Sequence, residues 1–356
     1  MQLFMNFIDE SKQLNQAPFP LKLDYHPQRG RFKIIHQGLM IPNLPAPLYY
    51  LNFLSIIGQS NIPILRNQDA IHTTALDTAT IIVSCSAHMA GHFSSYSIEN
   101  DCNFKSDFYQ FSNKEILQGT FPFFRLTRQD DELSFDLKIQ TTPIISHFTK
   151  LKLGIFNHWS LLCHCRGELS YKGQSYNIDE MGSFEYARAI NIPYLPLCFF
   201  TYQIINLQNQ RQLLLGQIRN NFNQIVQSRI YFRDAQTSIA EMFDEDVHFK
   251  ILRVYPKVKT PNHQEMYLPR EFYWTFQNGN RKIEIHAESR GDYKFGLAAG
   301  YVGSFKYCVN IDGIEETGES GYCEYIDCRP LKWQEKENDE KKADEAMNIM
   351  PCTLKK

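Results

Sequence analysis

The chain has 356 residues, 43% of them hydrophobic and 21% charged, and its Lys and Arg (37) nearly balance its Asp and Glu (39). That balance excludes a mostly disordered chain, and a formal net charge of −2 supplies no global field to gather nucleic acid or an anionic membrane surface. The outlying figure is aromatic: 26 Phe, 19 Tyr and 3 Trp make up 13% of the residues, and the length suits two hydrophobic cores better than one.

In chain order, Leu3, Phe4, Phe7, Ile8 and Leu14 recur at helical spacing and predict a short helix over residues 2–14, ended by Ala17-Pro18-Phe19-Pro20. Asp9 and Glu10 interrupt the apolar run, and no basic residue precedes it, so a secretory signal is not expected. No stretch approaches the roughly 18 uncharged apolar residues of a membrane-spanning helix. The nine cysteines are odd in number and scattered, which predicts free thiols and a cytoplasmic location.

From about residue 20 to residue 333, short apolar runs alternate with period two and break at turn residues, the pattern of an all-β chain. Hairpins are legible around Lys172-Gly173, Leu207–Arg211, Asn278-Gly279 and Asp312-Gly313. In the arm after Asn278-Gly279, Ile283, Ile285 and Ala287 share one face and Lys282, Glu284, His286 and Glu288 the other. Ser238–Asp246 reads as a helical exception. Ile190–Leu197, with Pro193 and Pro196, reads as a link. After Trp333 the chain turns highly charged and loses its aromatics, which predicts a solvated, dispensable tail.

One pattern occurs twice. Gly182-Ser-Phe-Glu185-Tyr186 follows the Lys172-Gly173 hairpin, and Gly321-Tyr-Cys-Glu324-Tyr325 follows the Asp312-Gly313 hairpin. In a strand the Glu and the Tyr of each copy point to opposite faces, so one enters a core while the other meets a cavity or the surface. The separation of about 140 residues suits two β-domains of similar size.

These two segments, with Asp77–Val83 and His158-Trp159-Ser160, resemble the two-domain lipocalin-related proteins of the carotenoid hydratase (hydroxyneurosporene synthase) and AttH-like group, in an uncharacterised bacterial branch. The resemblance spans residues 20–330. It implies two tandem antiparallel β-barrel or β-sandwich domains: an N-terminal helix or arm over 1–18, lipocalin-like domains over 19–190 and 191–333, and a charged tail over 334–356. Members of the group include a hydratase and enzymes of pericyclic reactions on apolar chains. No catalytic residue of the hydratase carries over position by position.

Glu185 and Glu324 are the first candidates for acid–base work, because burial beside aromatic rings would raise a Glu pKa towards neutrality. His158, beside Trp159, is a candidate proton shuttle. Tyr186, Arg188, Tyr202, Arg219 and Trp159 are candidate ligand-binding residues around an apolar pocket near the domain junction. Each also fits a structural role: a duplicated Glu at a corner, an Arg paired inside a β-domain, a Trp in a core. His88-x-x-x-His92 lies on a strand and turn rather than a helix, and Cys163-His164-Cys165 lacks a second ligand pair, so no metal and no cofactor is expected. The sequence supports an apolar small molecule (isoprenoid, steroid or acyl chain) as ligand. The alternative is a non-catalytic structural or carbohydrate-binding β-sandwich, and the oligomeric state stays open.

Overall fold

Period-two alternation becomes two large antiparallel sheets. The computed structural model describes residues 8–20, 22–192 and 194–329. The first sheet holds β1 (Phe32–Ile41), β2 (Leu51–Ile57), β3 (Thr78–Ser84), β4 (Phe93–Ser97), β5 (Cys102–Lys105), β6 (Phe108–Phe111), β7 (Glu115–Thr120), β8 (Phe123–Arg128), β9 (Leu133–Lys150), β10 (Phe156–Tyr171) and β11 (Gln174–Ile190). Its order is β4-β3-β2-β1-β11-β10-β9-β8-β7-β6-β5. The second holds β12 (Leu197–Leu207), β13 (Arg211–Asn220), β14 (Ile225–Asp234), β15 (Ile239–Phe243), β16 (His248–Val254), then, after a small ribbon of β17 (Val258–Lys259) and β18 (Glu265–Met266), β19 (Pro269–Asn278), β20 (Arg281–Ser289), β21 (Lys294–Leu297), β22 (Gly300–Ile311) and β23 (Ile314–Asp327). Its order is β15-β14-β13-β12-β23-β22-β20-β19-β16, with β21 pairing β22. Both sheets curl into near-closed barrels.

In each sheet the last strand returns to pair with the first, β11 with β1 and β23 with β12. The two Gly-x-x-Glu-Tyr segments therefore occupy corresponding closing strands. The preceding hairpins turn through Lys172-Gly173 (φ 49° and 80°) and Asp312-Gly313 (φ 53° and 89°), the paired positive φ that a tight two-residue hairpin needs.

Alternation then sorts side chains into three cores. Trp159, Phe184 and Tyr186 fill the first barrel with Phe53, Tyr109 and Phe124. Trp274, Phe305 and Tyr325 fill the second with Phe199 and Phe249. The third lies between the barrels and joins Met40, Tyr50, Leu54 and Ile82 of the first sheet to Tyr202, Ile204, Leu214, Tyr231, Tyr322 and Ile326 of the second. Strands at this junction are buried on both faces, so β2 and β3 are buried at every position and read as near-continuous apolar runs.

The expected helix over 2–14 falls partly outside the described residues; within them, Ser11–Gln16 is helical. Asp9 Oδ1 accepts from the Lys150 amide at 2.9 Å, and Arg229 Nη1 donates to Ser11 Oγ at 2.8 Å, fastening this end to both sheets. The chain then enters the first barrel, where the Tyr25 ring meets Tyr109, Phe121, Phe124 and Tyr186 at centroid distances of 5.6, 5.7, 5.4 and 5.1 Å.

Two expectations are corrected. Residues 239–243 form strand β15, paired with β14 from Ile230↔Phe243 to Asp234↔Ile239. The edge of β14 offers unpaired backbone groups, and this pairing outweighs a weak local helical preference. Seven cysteines are free thiols, but Cys308 is disulfide-bonded, since the state of a thiol depends on what the fold brings to it. The charged tail lies outside the described residues. Among those described, no helix is long and apolar enough to cross a membrane.

Candidate functional site

Phe184 and Tyr186 of β11 point into the first barrel, so Ser183, Glu185 and Ala187 point out of it, towards the second sheet. Ala187 pairs with His36 of β1 on one side and His158 of β10 on the other; Glu185 pairs with Gly38 and Ser160 in the next row. Two imidazoles thus flank one small methyl group on adjacent strands, with ring centroids 5.7 Å apart at 88°. The Glu185 carboxylate lies beside them.

Each group is held by partners. Glu185 Oε1 accepts from Tyr202 Oη of the second sheet at 2.6 Å and from Ser183 Oγ at 3.1 Å, while Oε2 lies 3.4 Å from His158 Nε2. His36 Nδ1 lies 3.0 Å from the Ser55 carbonyl. A carbonyl only accepts, so Nδ1 carries the proton and Nε2 keeps its lone pair. Arg233, fully buried, donates to Ser160 Oγ and Ser183 Oγ at 3.1 Å each and also to Gln212 Oε1, tying the two sheets together.

The electrostatics divide the two glutamates. Burial opposes ionisation of Glu185, but the hydrogen bonds from His158 and Tyr202 outweigh it and hold its pKa below the ordinary value. Burial pushes Glu324 well above the usual carboxylate range, and the charge of Glu185 adds to the push. Its only side-chain donor among the described residues is Tyr322 Oη, at 3.0 Å. Burial, and then the neighbouring His158, push His36 down to about 4. Burial brings Arg233 down to about 10, which still leaves it charged at neutral pH. The junction therefore pushes two neighbouring carboxyl groups in opposite directions, Glu185 towards its ionised form and Glu324 towards its protonated form, an arrangement suited to acid–base work.

His158 retains 20% side-chain exposure, and half-buried rings surround it. Phe148 lies 4.7 Å from His158 and 5.5 Å from Tyr202, Phe156 lies 6.2 Å from His158, and Phe200 lies 6.5 Å from Tyr202. The site is polar at its floor and apolar at its rim.

Of the residues singled out in the sequence, His158, Glu185, Tyr202 and Glu324 meet at this junction. The others lie elsewhere. Trp159 and Tyr186 stack inside the first barrel at 5.4 Å. Trp159 Nε1 and Tyr109 Oη there have no hydrogen-bond partner among the described residues. Arg188 sits at that barrel's end, bonded to Asp24 at 2.5 Å and His26 at 2.9 Å and stacked over Phe32 at 4.4 Å. Arg219 lies in the second barrel, donating to Gln217 at 2.6 Å and Asn223 at 3.0 Å. Neither arginine is bonded to Glu185 or Glu324, because period-two alternation sends them to the opposite face. Sequence reasoning missed His36, Ser183 and Arg233. The outward parity of His36 was available, but its place beside β11 depends on the pairing of first and last strands. Two clefts lie away from the junction: about 410 Å³ beside Phe108, Phe123 and Arg125, and about 120 Å³ beside Arg211, Arg281 and Glu316.

Comparison with known proteins places this geometry in a fold. The model of a family of unknown function, DUF6670, matches residues 54–340. An AttH-like protein from Nitrosomonas europaea superposes with a TM-score of 0.59 at 12% identity, covering 83% of this chain and 93% of that one. Kievitone hydratase from Nectria haematococca superposes with a TM-score of 0.52 at 12% identity, covering 83% and 89%. These likenesses show a shared lipocalin-like fold. No curated protein matches the chain in sequence.

Proposed function

The chain belongs to DUF6670, a family of unknown function, and we propose that it binds an apolar small molecule at the junction of its two sheets and transforms it by acid–base chemistry. One observation carries this reading: the Glu185 carboxylate joins an imidazole of one sheet, His158, to a phenol of the other, Tyr202, where His158 reaches solvent between phenylalanine rings. In its neutral form His158 donates Nε2–H to Glu185 and keeps Nδ1 as the base. A proton taken there from water or substrate leaves an imidazolium that the carboxylate stabilises. The distance of 3.4 Å is long for that bond, and such contacts commonly tighten when substrate binds. Tyr202 gives its one hydroxyl proton to that carboxylate and holds it from the opposite wall, while Glu324, whose pKa burial raises, is the acid that returns a proton to the substrate. Hydration, isomerisation and cyclisation of an unsaturated chain are reactions such a pair serves, and hydration is the reaction for which one protein of this fold is named.

The test extracts the purified full-length chain with organic solvent and compares the extract by mass spectrometry with those of Phe148→Asp and His158→Ala. An apolar molecule that both variants lose by at least about tenfold, with unchanged circular dichroism, is the expected result. Extracts that hold no such molecule, or that do not differ, overturn the reading.

A second reading rests on Arg233, whose bonds to Ser160, Ser183 and Gln212 fasten the sheets. If the cluster only fastens, Glu185→Gln destabilises the fold by about 3–5 kcal/mol, as breaking a buried charged contact does, and no bound molecule is found. A carbohydrate platform has less support, because Trp159 and Trp274 are both buried.

A further inference from the structure

We propose that His36, His158 and Glu185 bind one divalent transition-metal ion of the zinc class. The proposal deepens the reading of the junction as the functional site and rests on it. Each of the three side chains offers one ligand atom, and these atoms all lie within 4.8 Å of one another, a convergence met in no other group of this kind among the described residues. A tetrahedral ion with bonds of about 2.0–2.1 Å needs ligand atoms roughly 3.3 Å apart. The His158 Nε2 and Glu185 Oε2 pair already stands at 3.4 Å, and the His36 nitrogen lies within 4.8 Å of both.

Ion binding replaces the His158–Glu185 hydrogen bond: the His158 proton moves to Nδ1, the Nε2 lone pair turns to the ion, and the base role of Nδ1 passes to water held at the ion. The partners outside the cluster leave the other two ligand atoms available. His36 turns Nδ1–H to the Ser55 carbonyl at 3.0 Å, which presents Nε2 inward as a lone pair. Glu185 spends Oε1 on Tyr202 and Ser183 and leaves Oε2 on the imidazole side. A backbone carbonyl behind a histidine and a hydrogen bond behind a carboxylate are the usual supports of metal ligands. The platform is rigid, because the three ligands stand on hydrogen-bonded neighbours β1, β10 and β11. It is also open, because the residue between the two histidines is Ala187.

Two nitrogens and one carboxylate oxygen select borderline ions such as zinc or cobalt over calcium or magnesium, which take oxygen ligands. Three protein ligands leave a fourth position for water or substrate, as in catalytic rather than structural sites. The exposed fifth of the His158 side chain gives that position a way to solvent.

The full-length chain is stripped with a chelator, dialysed and titrated with cobalt(II), following the visible absorption that tetrahedral cobalt acquires, and with zinc(II) by calorimetry. One ion per chain is expected. His36→Asn and His158→Ala should each weaken binding by about 100-fold or more, Tyr202→Phe by about 10- to 100-fold, and His92→Ala should leave it unchanged. Circular dichroism confirms that each variant is folded, and Tyr202→Phe, which removes no ligand, keeps the test decisive if a histidine variant unfolds. Absence of stoichiometric binding, or binding indifferent to His36, His158 and Tyr202, overturns the proposal. The solvent extraction is repeated on the stripped chain: a molecule retained without metal binding leaves the apolar-ligand reading standing while the ion is rejected.

Discussion

Glu185 and Glu324 hold the same place in two copies of one motif, yet their surroundings push their pKa values in opposite directions. The difference lies in their donors: Glu185 gathers His158, Tyr202 and Ser183, whereas Glu324 has Tyr322 and a negative neighbour. A pH dependence follows. Because burial raises the folded-state pKa of Glu324 above its unfolded value, the folded chain keeps a proton that the unfolded chain releases. Stability from this group is fully present below the unfolded pKa and is lost as pH rises towards the folded one. Glu324→Gln cannot ionise, so its melting temperature should exceed that of the wild type by a margin that grows through neutral pH. The margin should vanish in acid below the ordinary carboxylate range. Thermal melts across pH check this, and a constant margin would show that Glu324 is ionised in the folded chain. The motif made both positions legible as candidates. Their charge states were not legible, because a pKa depends on partners from other strands.

At the scale of elements, parity was the most informative feature of the sequence. It placed Ile283, Ile285 and Ala287 together, and all three are buried in the second barrel. It also separated Glu185 from Tyr186. Parity does not say which strands pair, and there the sequence misread residues 238–246. Strands β7 and β8 show what pairing adds. They bring Glu115 opposite Arg128, and the two side chains, 0% and 1% exposed, form an ion pair sealed inside the first domain. Burial nevertheless raises the Glu115 pKa, so the pair depends on both members being present. Glu115→Gln should destabilise the chain by about 1–3 kcal/mol, because the buried Arg128 guanidinium loses one carboxylate while it keeps Asp130 at 3.2 Å and the Leu133 carbonyl at 3.1 Å, and an added Arg128→Met should restore part of that loss. Chemical denaturation of the single and double variants measures it. Equal loss in both would mean that the pair contributes through packing alone.

For the whole molecule, the N-terminal segment acts as a plug. Tyr25 fills the first barrel against five rings, and its hydroxyl accepts from Gln37 at 2.9 Å. Tyr25→Ala should cost about 3–5 kcal/mol, as deletion of a buried aromatic ring does, and should open space beside Trp159 that an apolar dye can enter. Urea denaturation and dye fluorescence read the two effects, and a variant as stable as the wild type would show that the segment rests loosely in the barrel. By itself the sequence determined the all-β class, the hairpins at Lys172-Gly173 and Asp312-Gly313, the doubled motif after those hairpins, and four of the residues at the junction. These follow from local chemistry: side-chain period, turn residues that accept positive φ, and repetition. Only the tertiary structure decided that β11 lies between β1 and β10, that His36 therefore faces His158 across Ala187, and that Arg233 crosses to the first sheet. Strand pairing and sheet packing join residues more than a hundred positions apart, and neither periodicity nor composition specifies which of many compatible edges will meet.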